Sequence, residues 1–185
     1  MFIQTEPTPN PATLKFLPGE TVLAQGTADF PDAASAARSP LASALFEIEG
    51  VTGVFLGSDF VTVTKSEDAT WQVLKPLILG GIMEHFTARR PVLLGEGEDL
   101  PEESYAEEHE EIVAQIKELL DTRVRPAVAM DGGDIIFRGF EDGIVYLHMQ
   151  GACSGCPSST ATLKMGIENM LRHYIPEVQG VRPIA

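Results

Sequence analysis

The sequence is short of the residues that several classes of protein require. Cysteine occurs only twice in 185 residues, as Cys153 and Cys156, which points to metal binding or redox chemistry and not to a disulfide framework. No apolar run approaches the ~20 residues that span a bilayer, and no signal peptide is recognisable. Lys and Arg number 13 against 27 Asp and Glu, which leaves no basic excess for nucleic acid. We therefore expect a soluble globular protein that binds neither membrane nor nucleic acid.

The negative charge is concentrated in one segment. Residues 96–111 contain nine Asp or Glu residues and no Lys or Arg, and they include Gly97 and Pro101, a composition typical of linkers. We predict a domain over residues 1–90, an acidic linker over 91–106 and a second domain over 107–185. The alternative is a docking surface for a basic partner, which is less favoured because such charge blocks usually form solvated tethers.

Hydrophobic spacing in the C-terminal part predicts the order helix, strand, strand, helix, strand. The predicted elements are a helix over 112–125, strands over 134–140 and 144–149, a helix over 163–174 and a last strand over 178–183. The first helix is expected to end before Pro126. The two strands are joined at Asp142-Gly143, a dipeptide typical of hairpin turns. Val145, Leu147 and Met149 alternate along the second strand, so they should share one face.

The N-terminal part is readable as structure but carries no catalytic constellation. Its predicted elements are strands over 14–17, 51–56 and 60–65, a helix over 39–46 and a helix from Trp71 to Ile82. Pro40 suits the first position of its helix, whereas Pro76 is expected to start or bend the last one. The whole chain is thus predicted to be α+β, with two small α/β domains.

The cysteine pair falls in the loop between the second strand and the second helix of the C-terminal domain. A helix N-terminus lowers thiol pKa and favours the thiolate form that binds metals. The neighbouring residues Gly151, Ala152 and Gly155 are small, so backbone or a cluster can approach closely. Iron–sulfur clusters and structural zinc are typically held by four ligands. One CxxC supplies half such a site, and two copies of the chain would complete it.

Three interpretations of the pair remain open from the residues alone. Cys153 and Cys156 could hold a cluster, form a thioredoxin-like dithiol, or hold structural zinc in a dimer. The dithiol is disfavoured because proline follows the motif instead of filling it. Of the four histidines, only His148 lies at a strand end close to the pair.

The residues around the pair resemble a known family. Residues 151–168 and 130–134 are similar to the NifU C-terminal domain of Nfu-type iron–sulfur carriers. Residues 2–16, 59–65 and 82–86 resemble that family's own N-terminal domain. The resemblance implies a 4Fe-4S cluster bridged between two protomers by Cys153 and Cys156 of each.

The resemblance also implies a function and a set of partners. The expected function is iron–sulfur cluster assembly, in which the homodimer carries the cluster and delivers it to apo-proteins without substrate turnover. Expected partners are the apo client proteins and the upstream cluster assembly machinery, which the N-terminal domain would position. The start of the chain at Met1 favours a bacterial cytoplasm, with a mature mitochondrial matrix form as the alternative.

Overall fold

The computed structural model describes residues 2–94, 103–152 and 157–184. The chain forms two compact units, Met1–Glu98 and Asp99–Ala185, each with its own hydrophobic core. Both units combine helices with sheet, which confirms the α+β class. The predicted bounds at residues 90 and 107 stay a prediction.

The N-terminal unit is a five-stranded antiparallel sheet covered by two helices. Its elements are β1 (Gln4–Pro7), β2 (Thr13–Leu17), β3 (Ala28–Phe30), a 3₁₀ turn (Ser35–Arg38), α1 (Pro40–Phe46), β4 (Val51–Leu56), β5 (Val61–Lys65) and α2 (Trp71–Thr87). The strand order is β1-β2-β5-β4-β3, and every neighbouring pair is antiparallel. The three predicted strands are present, whereas β1 and β3 at the two edges were not predicted.

The two helices of this unit begin for different reasons. At α1 the Ser39 hydroxyl accepts a hydrogen bond from the Ala42 amide at 3.1 Å, so Ser39 caps the helix and Pro40 occupies its first position. The sequence predicted that α2 would either begin or bend near Pro76. It does not begin there, because the helix starts at Trp71 and contains Pro76. Burial of one apolar face overrides the local cost of proline there. That face comprises Leu74, Ile78 and Ile82.

The C-terminal unit contains a four-stranded mixed sheet. Its elements are β6 (Ser104–Tyr105), α3 (Glu110–Leu119), a π-helical turn (Leu120–Val124), α4 (Arg125–Met130), β7 (Gly133–Glu141), β8 (Ile144–Gly151), α5 (Pro157–Tyr174) and β9 (Gly180–Ile184). The strand order is β6-β7-β8-β9. Strands β7 and β8 form an antiparallel hairpin, and β9 returns beside β8 in parallel after α5. The predicted order of elements is confirmed, and β6 is an addition at the edge.

The expectation that the first helix of this unit ends before Pro126 is wrong. Helical structure continues through the π turn into α4, where Pro126 lies within the first turn. Proline is tolerated there because an amide in the first turn of α4 would have no partner within α4 itself. The π turn therefore resets the hydrogen-bonding pattern just before the proline.

The hairpin and its core follow the sequence closely. Asp142 and Gly143 have φ values of 50° and 77°, which suit the tight turn between Glu141 and Ile144. Side chains from one face of the sheet and from α3, α4 and α5 form a single core. The strand residues predicted to share a face, Val145, Leu147 and Met149, all belong to it. Among the described residues, no helix is long and apolar enough to cross a membrane.

Candidate functional site

The two predicted ligands, Cys153 and Cys156, lie outside the described residues, so their placement stays a prediction. What the structure describes is the chain on either side of them. Strand β8 ends at Gly151, Ala152 is buried, and α5 begins at Pro157, the residue after Cys156 in the sequence. A strand end and a helix start therefore bound the cysteine segment.

A tight turn between α4 and β7 supports the strand side of this segment. The Gly132 amide donates to the Ala129 carbonyl at 3.0 Å, and Gly132 has a φ of 81°, a conformation common just past a helix end. The Gly132 carbonyl accepts a hydrogen bond from the Ala152 amide at 3.1 Å. Gly132 therefore forms part of a tight turn, and this turn is tied directly to the residue that precedes Cys153.

A charged pair lies beside the same turn. Arg125 Nε donates to Asp134 Oδ1 at 2.9 Å, and Arg125 Nη2 donates to Asp134 Oδ2 at 2.8 Å. The Asp134 side chain is only 5% exposed, and its Oδ1 also accepts from the Ile135 amide at 2.8 Å. On its other side Arg125 Nη1 contacts the exposed Asp121 carboxylate at 3.1 Å. The pKa of Arg125 is raised, chiefly because its side chain donates hydrogen bonds to Asp134.

Next to Asp134 lies a buried amide side chain with an unused acceptor. Gln150 pairs with Asp134 across the β7–β8 ladder and is 7% exposed. In the part of the chain that the structure describes, its Oε1 atom has no hydrogen-bond partner. An acceptor left in this way costs about 1–3 kcal/mol of desolvation. Gln150 lies three residues before Cys153, next to the last residue of β8.

The histidines are not assembled with this region as a metal site. His148 lies in β8, and its Nδ1 is 3.3 Å from the Ile184 carbonyl of β9, so it contacts the neighbouring strand. Across residues 2–94, 103–152 and 157–184, no three His, Cys, Asp or Glu side chains come together in an arrangement that could hold a metal ion. The cysteine pair remains the candidate ligand set.

Sequence reasoning missed the Arg125, Asp134 and Gln150 group. A signal for it exists, because Asp134 begins the first predicted strand of the hairpin, Gln150 directly follows the second, and the interiors of both strands are largely apolar. Polar residues that interrupt a buried strand generally have a partner or a function. Arg125 could not be identified as the partner of Asp134, because their approach depends on the helical turn at Pro126.

The fold and the bounded cysteine segment define a class of protein. It is a two-unit α+β protein whose C-terminal unit carries a CxxC segment between the end of β8 and the start of α5. Two cysteines are half of the four donors that a cluster or structural zinc typically has. Donors of this type suit iron–sulfur clusters and zinc.

Comparison with known proteins identifies the family. Residues 3–89 match the family model described as scaffold protein Nfu/NifU N terminal, and residues 116–182 match the NifU-like domain. The chain is 57% identical over its full length to the human "NFU1 iron-sulfur cluster scaffold homolog, mitochondrial", spanning 72% of that protein. It is 55% identical over 98% of its length to the Arabidopsis thaliana "NifU-like protein 4, mitochondrial", spanning 65% of that protein. The chain belongs to the Nfu family of iron–sulfur cluster scaffold proteins, as the sequence motifs predicted.

One similar solved structure is a NifU-like protein from Saccharomyces cerevisiae, determined by solution NMR. It is 25% identical, covers 52% of this chain and 87% of its own, and has a TM-score of 0.47. Because this score is low, the fold assignment rests on the strand order and the family models.

The expectation of a bacterial cytoplasm is wrong. The human and Arabidopsis relatives, and those from several Drosophila species, are all named as mitochondrial proteins. These relatives point to the mitochondrion, which was the alternative that the sequence left open.

Proposed function

We propose that this protein carries a 4Fe-4S cluster between two copies of the chain and transfers it to apo iron–sulfur proteins. The cluster would be held by Cys153 and Cys156 of each copy. The observation that carries the proposal is the ligand count, because a chain with one CxxC offers two thiolates where a cluster requires four. Family membership supports the iron–sulfur cargo.

The residues on either side of the cysteine segment suit this role. Pro157 begins an 18-residue helix, whose N-terminal amides and dipole favour anionic sulfur in the segment just before it. Gly151 and Ala152, on the strand side, have no bulky side chain. A cluster held here would therefore be electrostatically stabilised without being enclosed by large side chains from these two residues.

Transfer needs no net oxidation or reduction. At each exchange one Fe–S(Cys) bond to the carrier breaks and one Fe–S(Cys) bond to the client forms. The proton lost by the client thiol passes to the released carrier thiolate. The direction is set by which site binds the cluster more tightly, so the protein acts as a carrier without substrate turnover. We assign the N-terminal unit the task of positioning client or donor proteins, and we place the process in the mitochondrion because the relatives bear that name.

Anaerobic reconstitution of the full chain tests the proposal. We expect broad visible absorption, about four irons per two chains, and a doubling of the mass measured by light scattering when the cluster binds. Cys153→Ser and Cys156→Ser should each abolish cluster retention while the apo-protein keeps its far-UV circular dichroism spectrum. His148→Ala is the matched control and should retain the cluster.

Each rival has its own outcome in the same experiment. Colourless protein with stoichiometric zinc that resists exchange would indicate a structural zinc dimer. Metal-free protein that reduces disulfide substrates would indicate a dithiol oxidoreductase. A single chain that holds a complete cluster, or a cluster retained by either serine variant, would contradict the bridging arrangement.

A further inference from the structure

The Arg125–Asp134 pair connects the elements that lead to the cysteine segment. Arg125 is the first residue of α4 and Asp134 the second residue of β7, so the pair spans the turn that joins them. Both Asp134 oxygens are engaged by the guanidinium, at 2.9 and 2.8 Å. Two parallel charge-assisted hydrogen bonds fix the orientation of both groups, which a single contact does not.

The turn inside this connection holds the end of β8. Gly133 pairs with Gly151 and Asp134 with Gln150 in the β7–β8 ladder, and the Gly132 carbonyl accepts from the Ala152 amide at 3.1 Å. A shift of the α4–β7 turn would therefore move the strand end from which the chain continues to Cys153. The ion pair is a side-chain contact that joins α4 to β7 across this turn.

The stability of the folded unit does not by itself explain why a charged pair lies at this end of the sheet. Burying a carboxylate costs desolvation that its partner only partly offsets, and apolar replacements of such pairs are often neutral or stabilising. The neighbouring Gln150 is a second polar group with a cost, since its buried Oε1 lacks a partner among the described residues. Two buried polar groups therefore lie together at the end of the sheet that leads to the cysteines.

We propose that Arg125 and Asp134 are positioning residues for the cysteine segment. They hold the end of β8 against the α4–β7 turn and so maintain the geometry in which Cys153 and Cys156 retain the cluster. This inference rests on the proposed function, because it concerns retention of that cluster. The inference adds that the rate of cluster release depends on Arg125 and Asp134, which do not themselves bind the cluster.

The test compares two variants of the pair with a matched control on the full-length protein. Asp134→Asn removes the negative charge of the pair. Arg125→Lys keeps the positive charge and loses only the bidentate hydrogen bonding. Arg125→Lys is therefore expected to fold even if Asp134→Asn does not. Asp121→Asn is the control, because it makes the same chemical change on the exposed partner of the same guanidinium.

The first measurement is amide hydrogen exchange in the apo-protein. We expect the Ala152 amide to exchange about tenfold faster in the pair variants, as a local opening would allow, while the Val145 amide near the opposite end of β8 keeps its rate. Equal acceleration at both amides would mean that the pair only stabilises the whole unit, and that result would overturn the inference.

The second measurement is the rate at which reconstituted protein loses its cluster to an iron chelator. Loss of a supporting contact around metal ligands typically changes affinity 10–100-fold. We therefore expect about tenfold faster loss from Arg125→Lys and Asp134→Asn, and a change below about twofold for Asp121→Asn. If wild-type protein fails to acquire a cluster, the proposed function fails. If it acquires one and the pair variants lose it at the wild-type rate, only the inference about Arg125 and Asp134 fails.

Discussion

Gly151 allows a quantitative test of why the strand beside the cysteines ends as it does. Its φ of 66° lies in the left-handed region, which costs an L-residue with a Cβ about 1–2 kcal/mol. Alanine also restricts the unfolded chain, which offsets about 0.4–1 kcal/mol of that cost. Gly151→Ala should therefore destabilise the C-terminal unit by about 1 kcal/mol. Gly151→Asn should cost less, because asparagine tolerates this conformation better.

Gly166 provides a control in which the same substitution has the opposite sign. It lies inside α5, is exposed, and has no heavy atom within 4 Å of the place that a Cβ would occupy. Alanine in a helix interior is favoured over glycine by about 0.5–1 kcal/mol. Gly166→Ala should therefore stabilise the unit, and the two alanine variants should differ by roughly 2 kcal/mol when the effects are combined.

Native-state hydrogen exchange at the Leu147 amide measures the stability of the C-terminal unit. Trp71 is the only tryptophan and belongs to the N-terminal unit, so its fluorescence during urea unfolding provides an internal reference that neither variant should change. A Gly151→Ala protein as stable as wild type, or more stable, would refute the assignment of strain to this φ. The glycine would then have to be explained by space near the cysteine segment.

Two further predictions concern the N-terminal unit. His85 is 3% exposed, and its pKa is lowered from 6.5, mainly by desolvation. Because the unfolded state then binds more protons than the folded state, the stability of this unit should fall as pH drops below about 6.5. In His85→Gln the urea midpoint followed by Trp71 fluorescence should lose this pH dependence, and an unchanged slope would contradict the assignment. Gly57→Ala would place a Cβ 2.3 Å from Phe60 Cε1, which should cost about 1–3 kcal/mol by overpacking. Adding Phe60→Leu should relieve part of the loss in the same unfolding assay, whereas a fully additive double variant would show that the clash is not the cause.

Patterns that depend on local sequence predicted most of the fold. The hairpin turn at Asp142-Gly143 and the capped start of α1 follow from backbone preferences of those residues. The edge strands β1, β3 and β6 have four, three and two residues, and strands this short form only because a neighbouring strand offers hydrogen bonds. Their sequences alone carry too little periodicity to identify them.

The sequence likewise predicted one part of the candidate site and missed another. The candidate ligands Cys153 and Cys156 could be named because cysteine is scarce and the CxxC spacing is typical of metal or redox sites, and their role stays a prediction. The supporting pair could not, because Arg125 and Asp134 meet only when helical structure continues past Pro126. A proline normally predicts the end of a helix. Pro126 therefore led to the wrong helix end, and for the same reason the Arg125–Asp134 contact was not predicted.

The source of the C-terminal unit's stability bears directly on whether it can give up a cluster. Its core is formed by apolar side chains of the helices, β7, β8 and β9, and the hairpin and the parallel β8–β9 pairing are complete within the described residues. In small zinc domains the metal supplies the folding free energy, so loss of metal unfolds the protein. Here the described core and strand ladder are formed by residues on either side of the cysteine segment, and we expect them to keep the unit folded when no cluster is bound. Release of the cluster should therefore leave a folded apo-protein that can be loaded again, as a carrier requires and a structural metal site does not.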